Sequence, residues 1–455
     1  MFCSRIAKNF LGPNCSTLPR LFSGYLVEKL IKQPPLLLTG SYHVLTVTGP
    51  SKFRLSRLYN VIKRSCTNQG ERNDLNMETT MQLKRVLVLS KITRYEYERQ
   101  RHEGISEKKL EKLLAERGSD YKKLLQRNDI HQGNIKQLCA MLEENGINYK
   151  VVQRKEYNET CIDWADLVIS AGGDGTYLSA ASKIHDAKPL IGINTDPNNS
   201  EGHLCLPNKY STDFNEVLQK LKQGKFRWKW RQRIRVTVDG AVPLEPVDLQ
   251  DQNHRDQHWK MREKAKLETT VPGPRILPIK ALNEVFIGET LSSVVSYYVV
   301  NIDDGPAEKQ KSSGITICTG SGSTSWSFNT NKLSSQSLQE ILRIVKEETG
   351  CNIPESQDSV KRIVDRFNDS LVFDPSDVRM AYTVRDPVVN RIFAADFPRG
   401  FAKRISIRSR CFDACLVLDS GYSFIFNDGA MATLETREED ALRTLELIEE
   451  EPDDE

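Results

Sequence analysis

Five consecutive residues, Gly172-Gly173-Asp174-Gly175-Thr176, constrain this chain more than any other stretch. They follow the apolar run Asp166-Leu167-Val168-Ile169-Ser170-Ala171 and precede Tyr177–His185, in which Leu178, Ala181 and Ile184 share one helical face. A buried strand, a glycine turn and an amphipathic helix make one step of an open α/β sheet. Three glycines let the backbone turn tightly and let a ligand approach with no Cβ in the way. The helix N-terminus and its free amide groups suit a phosphate, and Thr176 is a candidate cap for the helix. An acid in such a cradle repels the ligand. Asp174 makes sense there if it accepts a proton from a hydroxyl nucleophile or helps to hold Mg2+. No Lys-Ser/Thr follows, which excludes a Walker loop. A purely structural turn is the competing reading, because Asp-Gly is common in turns.

The same grammar extends to both sides of this loop. Val86-Leu87-Val88-Leu89 reads as a buried parallel strand. The charged stretch from Lys91 to about Arg127 reads as exposed helix. Ile135, Leu138 and Leu142 mark one helix face, which Gly146 ends. Tyr149–Val152 and Pro189–Ile193 are further strands. After residue 225 the period becomes two, in Ile234–Gly240, Tyr297–Ile302 and Arg404–Ser409. Helices return only around Ser337–Thr349 and Ser359–Phe367. The expected fold is therefore an α/β N-terminal open parallel sheet, Rossmann-like, plus a β-rich C-terminal domain. The expected boundaries are a leader over 1–75, the α/β domain over 82–224, and the β-rich domain over 225–436. The polar stretch 243–278 has no apolar period and reads as a mobile insertion. A short helix on Ala441, Leu442, Leu445 and Ile448, then an acidic tail, would fill 437–455.

Charge and cysteines narrow the function classes. The net charge of +3 over 455 residues argues against a dedicated nucleic-acid binder. Residues 1–70 nevertheless hold ten Lys/Arg and a single acid, Glu28. A basic, acid-poor leader without a long apolar core, with Arg5 and Lys8 interleaved among Phe2, Ile6 and Phe10, reads as a mitochondrial transit peptide. No stretch approaches the ~20 apolar residues of a membrane span. The ten cysteines are scattered without a C-x-x-C, and Cys411 and Cys415 have no second pair at zinc spacing. Reduced thiols in an intracellular compartment are expected.

Two further motifs carry polar chemistry. Thr319-Gly320-Ser321-Gly322-Ser323-Thr324-Ser325-Trp326-Ser327 follows the apolar strand Ile315–Cys318 and offers hydroxyl and backbone donors to a ligand. Asn283-Glu284 lies between Ala281-Leu282 and Val285-Phe286-Ile287-Gly288. A donor amide beside an acceptor carboxylate reads ribose hydroxyls or a base edge. A flexible serine loop and an exposed pair at a strand end are the plainer alternatives.

Taken in order and separation, these three motifs resemble the NAD kinase family. The match runs from about Arg85 to Asp428-Gly429. Ser90–Glu98, Gly192-Ile193-Asn194-Thr195-Asp196-Pro197 with Ser200–Leu204, Trp228–Arg235 and Lys311–Gly314 resemble its mitochondrial branch. The resemblance implies a sandwich-like second domain with the ligand site between the two domains. It implies ATP-dependent phosphorylation of the adenosine-ribose 2′-hydroxyl of NAD in the mitochondrial matrix, with Asp174 as the base. Gly172, Gly173, Gly175 and Thr176 would hold the ATP phosphates. Asn194, Asn283, Glu284, Gly322, Ser323 and Thr324 would bind NAD. Mg2+ would accompany ATP, with no metal ligand assigned and no tightly bound prosthetic group. The expected partners are NAD, ATP or inorganic polyphosphate, and a second copy in a homodimer, with neither nucleic acid nor membrane. Lys91 and Arg94, at the end of the first strand, are candidate triphosphate contacts. Two departures stand out. Ser312-Ser313-Gly314 replaces the family's Gly-Asp-Gly, removing an acidic contact. Asp196-Pro197 and Gly202-His203-Leu204 replace its Gly-x-Leu-Gly-Phe-Leu, where His203 reads as a packed or hydrogen-bonded loop residue and not a catalytic one. A diacylglycerol- or sphingosine-type lipid kinase shares the glycine-aspartate loop. A non-catalytic dinucleotide sensor would have no need of Asp174.

Overall fold

The computed structural model describes residues 80–250, 273–351, 356–390, 393 and 398–449. The chain divides into Met1–Leu75 and Asn76–Glu455. The expected transit peptide, the middle of the 243–278 stretch and the acidic tail lie outside the described residues.

The first half of Asn76–Glu455 is a parallel sheet covered on both faces. In chain order it runs β1 (Arg85–Ser90), α1 (Arg94–Arg101), α2 (Glu107–Glu116), α3 (Tyr121–Glu144), β2 (Asn148–Val152), α4 (Glu159–Trp164), β3 (Leu167–Ala171), α5 (Asp174–Ala181), β4 (Leu190–Ile193), α6 (Lys209–Thr212) and α7 (Phe214–Gln223). The sheet order is β2-β1-β3-β4, with β1 parallel to β2 and to β3, and β3 parallel to β4. Alternate residues of each strand feed opposite cores. Val86, Val88, Ile169 and Ile191 pack with Ile135, Leu138 and Leu142 of α3 and Leu218 and Leu221 of α7. Leu87, Leu89, Val168 and Leu190 pack with Ile162 of α4 and Tyr177 and Ala180 of α5. Burial on both faces explains why these strands read as continuous apolar runs.

The second half is antiparallel. It comprises β5 (Phe226–Arg231), β6 (Ile234–Asp239), β7 (Val247–Asp248), β8 (Arg275–Ile276), β9 (Glu284–Glu289), β10 (Ser296–Ile302), β11 (Glu308–Ser312), β12 (Ile315–Cys318), a 3-10 turn (Ser321–Thr324), α8 (Trp326–Asn331), α9 (Ser335–Thr349), α10 (Gln357–Asp369), β13 (Met380–Val384), β14 (Arg399–Ala402), β15 (Arg404–Ser409), β16 (Ala414–Leu418), β17 (Tyr422–Ile425), β18 (Met431–Thr436) and β19 (Leu442–Leu447). Two sheets, β11-β10-β15-β18-β6-β8 and β14-β13-β12-β9-β16-β17-β7, share one core. Val236, Tyr298, Val300, Ile407 and Leu434 enter it from the first sheet, and Val285, Ile287, Ile317, Leu416 and Phe424 from the second. That is a sandwich. The described ends of the 243–278 stretch are not loose: β7 pairs with β17, and β8 with β6.

Two elements differ from the sequence reading: α8 (Trp326–Asn331) lies outside the two stretches where helices were expected, and the C-terminal helix is a strand. The expected C-terminal helix over 441–448 is β19, which pairs with β5 from Leu442↔Arg231 to Leu447↔Phe226. Local spacing suggested a helix. The backbone groups of β5 need a ladder partner, and pairing delivers Leu445 and Leu447 to the core of the parallel sheet beside Phe226. Tertiary pairing outweighs a marginal local period.

Candidate functional site

The site grows from the carboxyl ends of β1, β3 and β4, where open α/β sheets bind ligands. After Ala171 the chain turns at Gly172-Gly173, and α5 begins at Asp174 with Gly173 as its N-cap residue. Gly172 leaves no room for a Cβ, and Gly173 leaves little. A Cβ on Gly172 would lie 2.4 Å from Thr176 Oγ1 and 3.1 Å from Lys91 Cβ, and one on Gly173 would lie 2.9 Å from Ser200 Oγ. Gly175 is exposed and has no neighbour within 4 Å of such an atom. Thr176 does not cap the helix, contrary to expectation, because α5 starts two residues before it. Its side chain lies against Gly172 instead.

The Asp174 carboxylate is aimed by the loop after β4. Its Oδ1 accepts from the Leu204 amide at 2.8 Å and its Oδ2 from the His203 amide at 3.1 Å. Each oxygen keeps acceptor capacity for a further donor. The loop is organised from below by Asn194, which is 0% exposed. Asn194 Nδ2 donates to Ser200 O at 2.7 Å, and its Oδ1 accepts from the Asp196 amide at 3.1 Å. Gly202 arches over it with φ +66, and a Cβ there would meet Asn194 Nδ2 at 2.8 Å. Asn194 therefore holds the loop that holds Asp174. The His203 imidazole points elsewhere, to Glu201 at 2.7 Å in an exposed pair.

A cationic corner lies beside the glycine turn. His131 of α3 is 0% exposed and bridges Ser90 Oγ and Thr195 Oγ1, at 2.9 Å each, so it pins the ends of β1 and β4 together. Burial, then the nearby Lys91 charge, pushes its pKa down to about 4. One helical turn earlier, Arg127 donates to Asn199 Oδ1 at 2.5 Å, while its Nε is buried without a hydrogen-bond partner. Lys91 shares this corner. Burial lowers its pKa, Asp196 opposes the shift, and Arg127 adds to it. The other sequence candidate, Arg94, is exposed and turns away onto the buried Glu98 of α1 at 2.5 Å. Arg127 lay in the charged helical stretch, and no motif marked it.

The facing wall comes from the sandwich. Leu282 packs in the same cluster as Tyr177 and Leu204, which brings the start of β9 against α5. Asn283 and Glu284 are each 5% exposed, and Asn283 Oδ1 is a buried acceptor with no partner. Glu284 Oε2 accepts from Ser325 Oγ at 2.7 Å. Burial, and then the neighbouring Asp419 charge, raises the Glu284 pKa to about 7. The serine turn is wedged against this strand: a Cβ on Gly322 would sit 2.2 Å from Asn283 O. Ser323 faces inward, donating to Gly320 O at 2.7 Å and accepting from the Phe373 amide at 3.2 Å. Thr324 is partly buried, its hydroxyl 3.4 Å from Ser321 O. Arg231 ties this turn to β5, donating to Ser321 Oγ at 3.1 Å. Where the family's acid is missing, Ser313 backs onto Arg385, whose guanidinium lies 5.2 Å from the centroid of the Trp326 ring.

The family model described as ATP-NAD kinase N-terminal domain matches residues 68–226, a span that includes the glycine turn and Asp174. "NAD kinase 2, mitochondrial" of Xenopus tropicalis is 48% identical over 386 residues, covering 80% of this chain and 90% of that protein. The chain belongs to the NAD kinase family. The human protein of the same description is 46% identical over 371 residues, covering 80% of this chain and 84% of its own. A more distant relative, "Probable NADH kinase" of Oryza sativa subsp. japonica, is 25% identical over 47% of this chain and 62% of its own. Among the described residues, the α/β step that bears the family's glycine-aspartate loop and the strand end that bears its Asn-Glu pair meet around α5.

Proposed function

We propose that this NAD kinase uses Asp174 as the base that draws the proton from the adenosine-ribose 2′-hydroxyl of NAD while the terminal phosphoryl group of ATP is transferred to it. The chain converts NAD to NADP and is mitochondrial, as are its relatives. The observation that carries the assignment of the base is the two amide hydrogen bonds that aim the Asp174 carboxylate at the start of α5. Such transfer needs alignment of the hydroxyl with phosphorus and neutralisation of charge more than covalent help.

In this reading the first-turn amides of α5 and the glycines 172, 173 and 175 take the donor phosphates, with Lys91 and Arg127 as the cations. Asn283 and Glu284 take the dinucleotide. The buried, unpartnered Asn283 Oδ1 supports this, since a buried acceptor calls for a donor. Gly322 and Ser323 shape the serine turn beside the pair, and Thr324 is its remaining hydroxyl contact. Asn194 acts by holding the loop rather than by touching NAD. Among the described residues no group of three or more His, Cys, Asp or Glu side chains is placed to hold a metal ion. A Mg2+ arriving on ATP would take its ligands chiefly from phosphate oxygens and water, with Asp174 as the nearby carboxylate. Among the described residues no helix is long and apolar enough to cross a membrane. Pairing of two copies belongs to this reading and is tested by sedimentation of the full chain.

The test is NADP formation by the full chain with Mg-ATP, followed by a coupled dehydrogenase, beside Asp174→Asn. Turnover lost with NAD still bound supports the base. Near-normal turnover returns Asp174 to a turn residue. NAD binding without NADP from either ATP or polyphosphate would make the protein a sensor, and lipid phosphorylation in place of NADP would move it to the lipid kinases.

A further inference from the structure

The residue that organises the dinucleotide wall is far from it in sequence. Asp419 lies in the turn between β16 and β17, where the Gly421 amide donates to Leu418 O at 2.9 Å. Both central residues, Asp419 (φ 49) and Ser420 (φ 53), have positive φ, the pattern of a hairpin turn that matches strand twist. The turn explains why a short polar residue stands at this position. It does not explain where the side chain goes. The Asp419 carboxylate is directed inward, 8% exposed, and receives three consecutive backbone amides: Leu282 at 2.8 Å, Asn283 at 2.8 Å and Glu284 at 3.1 Å. Its own amide donates to Glu284 O at 3.0 Å. The segment that carries the Asn-Glu pair is thus clamped from both sides by one residue.

The clamp places one buried carboxylate beside another. Burial raises Asp419 to a pKa of about 6 against the pull of its three amides and of the Arg233 charge. Arg233 is 2% exposed and donates to Ala181 O at 3.2 Å and Ile184 O at 2.6 Å, at the carboxyl end of the Asp174 helix. It also donates to Asp440 O at 2.5 Å, while its Nη2 is buried without a hydrogen-bond partner. One guanidinium is therefore held by the helix that begins with Asp174 and acts electrostatically on the residue that clamps Asn283-Glu284. A turn residue chosen for φ alone needs neither the three amides nor a buried cation.

We propose that Asp419, backed by Arg233, is a positioning residue for NAD: its carboxylate fixes Asn283 and Glu284 in register with the Asp174 helix and stands as a second buried carboxylate beside Glu284. The proposal rests on the assignment of Asn283-Glu284 to the dinucleotide.

Two variants separate this role from turn formation. Asn and Gly both tolerate positive φ, so Asp419→Asn and Asp419→Gly keep the turn while removing the charge or the whole side chain. Equilibrium NAD binding by calorimetry, KM for NAD, KM for ATP and the pH profile of kcat/KM for NAD are measured on the full chain. The expected result is a rise of about tenfold or more in KM for NAD, with KM for ATP within about twofold, since loss of hydrogen bonds to a charged group costs about 1.5–3 kcal/mol. The pH profile supplies a readout that a structural role does not move. The groups acting on Glu284 are Asp419 from the turn, Ser325 before α8 and Cys318 of β12, with Arg233 acting through Asp419. Because burial and the Asp419 charge raise the Glu284 pKa to about 7, the expected profile of the unaltered protein is a kcat/KM that climbs as pH rises through that value and Glu284 ionises. Removing the Asp419 charge moves that limb to lower pH in both variants. Equal rises in the two KM values, or an unmoved limb, overturn the proposal. Should Asp419→Asn not fold, Asp419→Gly carries the same comparison, and unchanged NAD affinity in either variant also overturns it. Failure of the underlying reading looks different: Asn283→Ala and Glu284→Ala would leave NAD binding intact.

Discussion

The two walls of the site are built by opposite means. On the α/β side, the glycine turn, Asp174 and the loop that aims it come within 33 positions of one another, and Gly175 stands open to solvent. On the sandwich side, Asn283 and Glu284 are buried, with partners reaching them from Ser325 and from Asp419, the latter 135 positions along from Glu284. One wall is a local motif with cations beside it, suited to a charged nucleotide that exchanges. The other is a prearranged surface held by long-range hydrogen bonds. Preorganisation of this kind favours a substrate whose shape must be read accurately. The contrast teaches that the wall proposed for the phosphoryl donor rests on backbone geometry and charge, and the wall proposed for the dinucleotide on tertiary clamping.

Substitutions on each wall should therefore fail differently. The largest effect is expected on the α/β side: Asp174→Asn should lower kcat by about 10²–10⁴-fold, with NAD binding by calorimetry unchanged. A matching loss of NAD affinity would blur the distinction between the walls. Next is Arg127→Met, expected to raise KM for ATP by about 10–100-fold through loss of a charge-assisted contact, with KM for NAD unmoved. If steady-state kinetics show both constants rising together, Arg127 is a support for the loop at Asn199 and not a phosphate contact.

On the sandwich side, Gly322→Ala should act first on packing. Its Cβ would meet Asn283 O at 2.2 Å, an overlap expected to cost about 1–3 kcal/mol. Thermal denaturation should register that loss, and KM for NAD should rise with it, while KM for ATP stays put. The smallest effect is expected from His203→Ala. Its imidazole makes only an exposed pair with Glu201, and such pairs contribute about 0–1 kcal/mol. Because its backbone amide, which survives the change, is what holds Asp174, initial rates should stay within about twofold. A loss beyond about tenfold would give the imidazole a part in the chemistry.

Much of the α/β half was legible because its signals are local. Val86–Leu89 and Leu167–Ala171 read as buried strands since both of their faces are covered, and Gly172 stands in the turn because a Cβ there would collide with Thr176. Legibility failed wherever a residue's neighbour is distant in sequence. Residues 441–448 looked helical by spacing and became β19, because β5 supplies a ladder 211 positions away at the pair Leu442↔Arg231. Thr176 looked like a cap but lies inside the helix it was expected to begin. Arg94 and Arg127 were equally charged letters in one helical stretch. Only the packing of α3 through His131 set Arg127 beside Lys91 and onto Asn199, while α1 turned Arg94 onto Glu98.

The sequence by itself determined the class of fold, the family and the motifs that bear the chemistry, since hydrophobic period, glycine placement and short polar signatures are written over a few residues each. The tertiary structure alone decided which side chains those motifs would meet. It turned Ser323 inward, engaged Asn194 in the loop beneath Asp174, and set Asp419 under Asn283-Glu284. The physical reason is that a buried polar group must find its partner wherever the packed chain supplies one, and that place has no fixed distance in sequence.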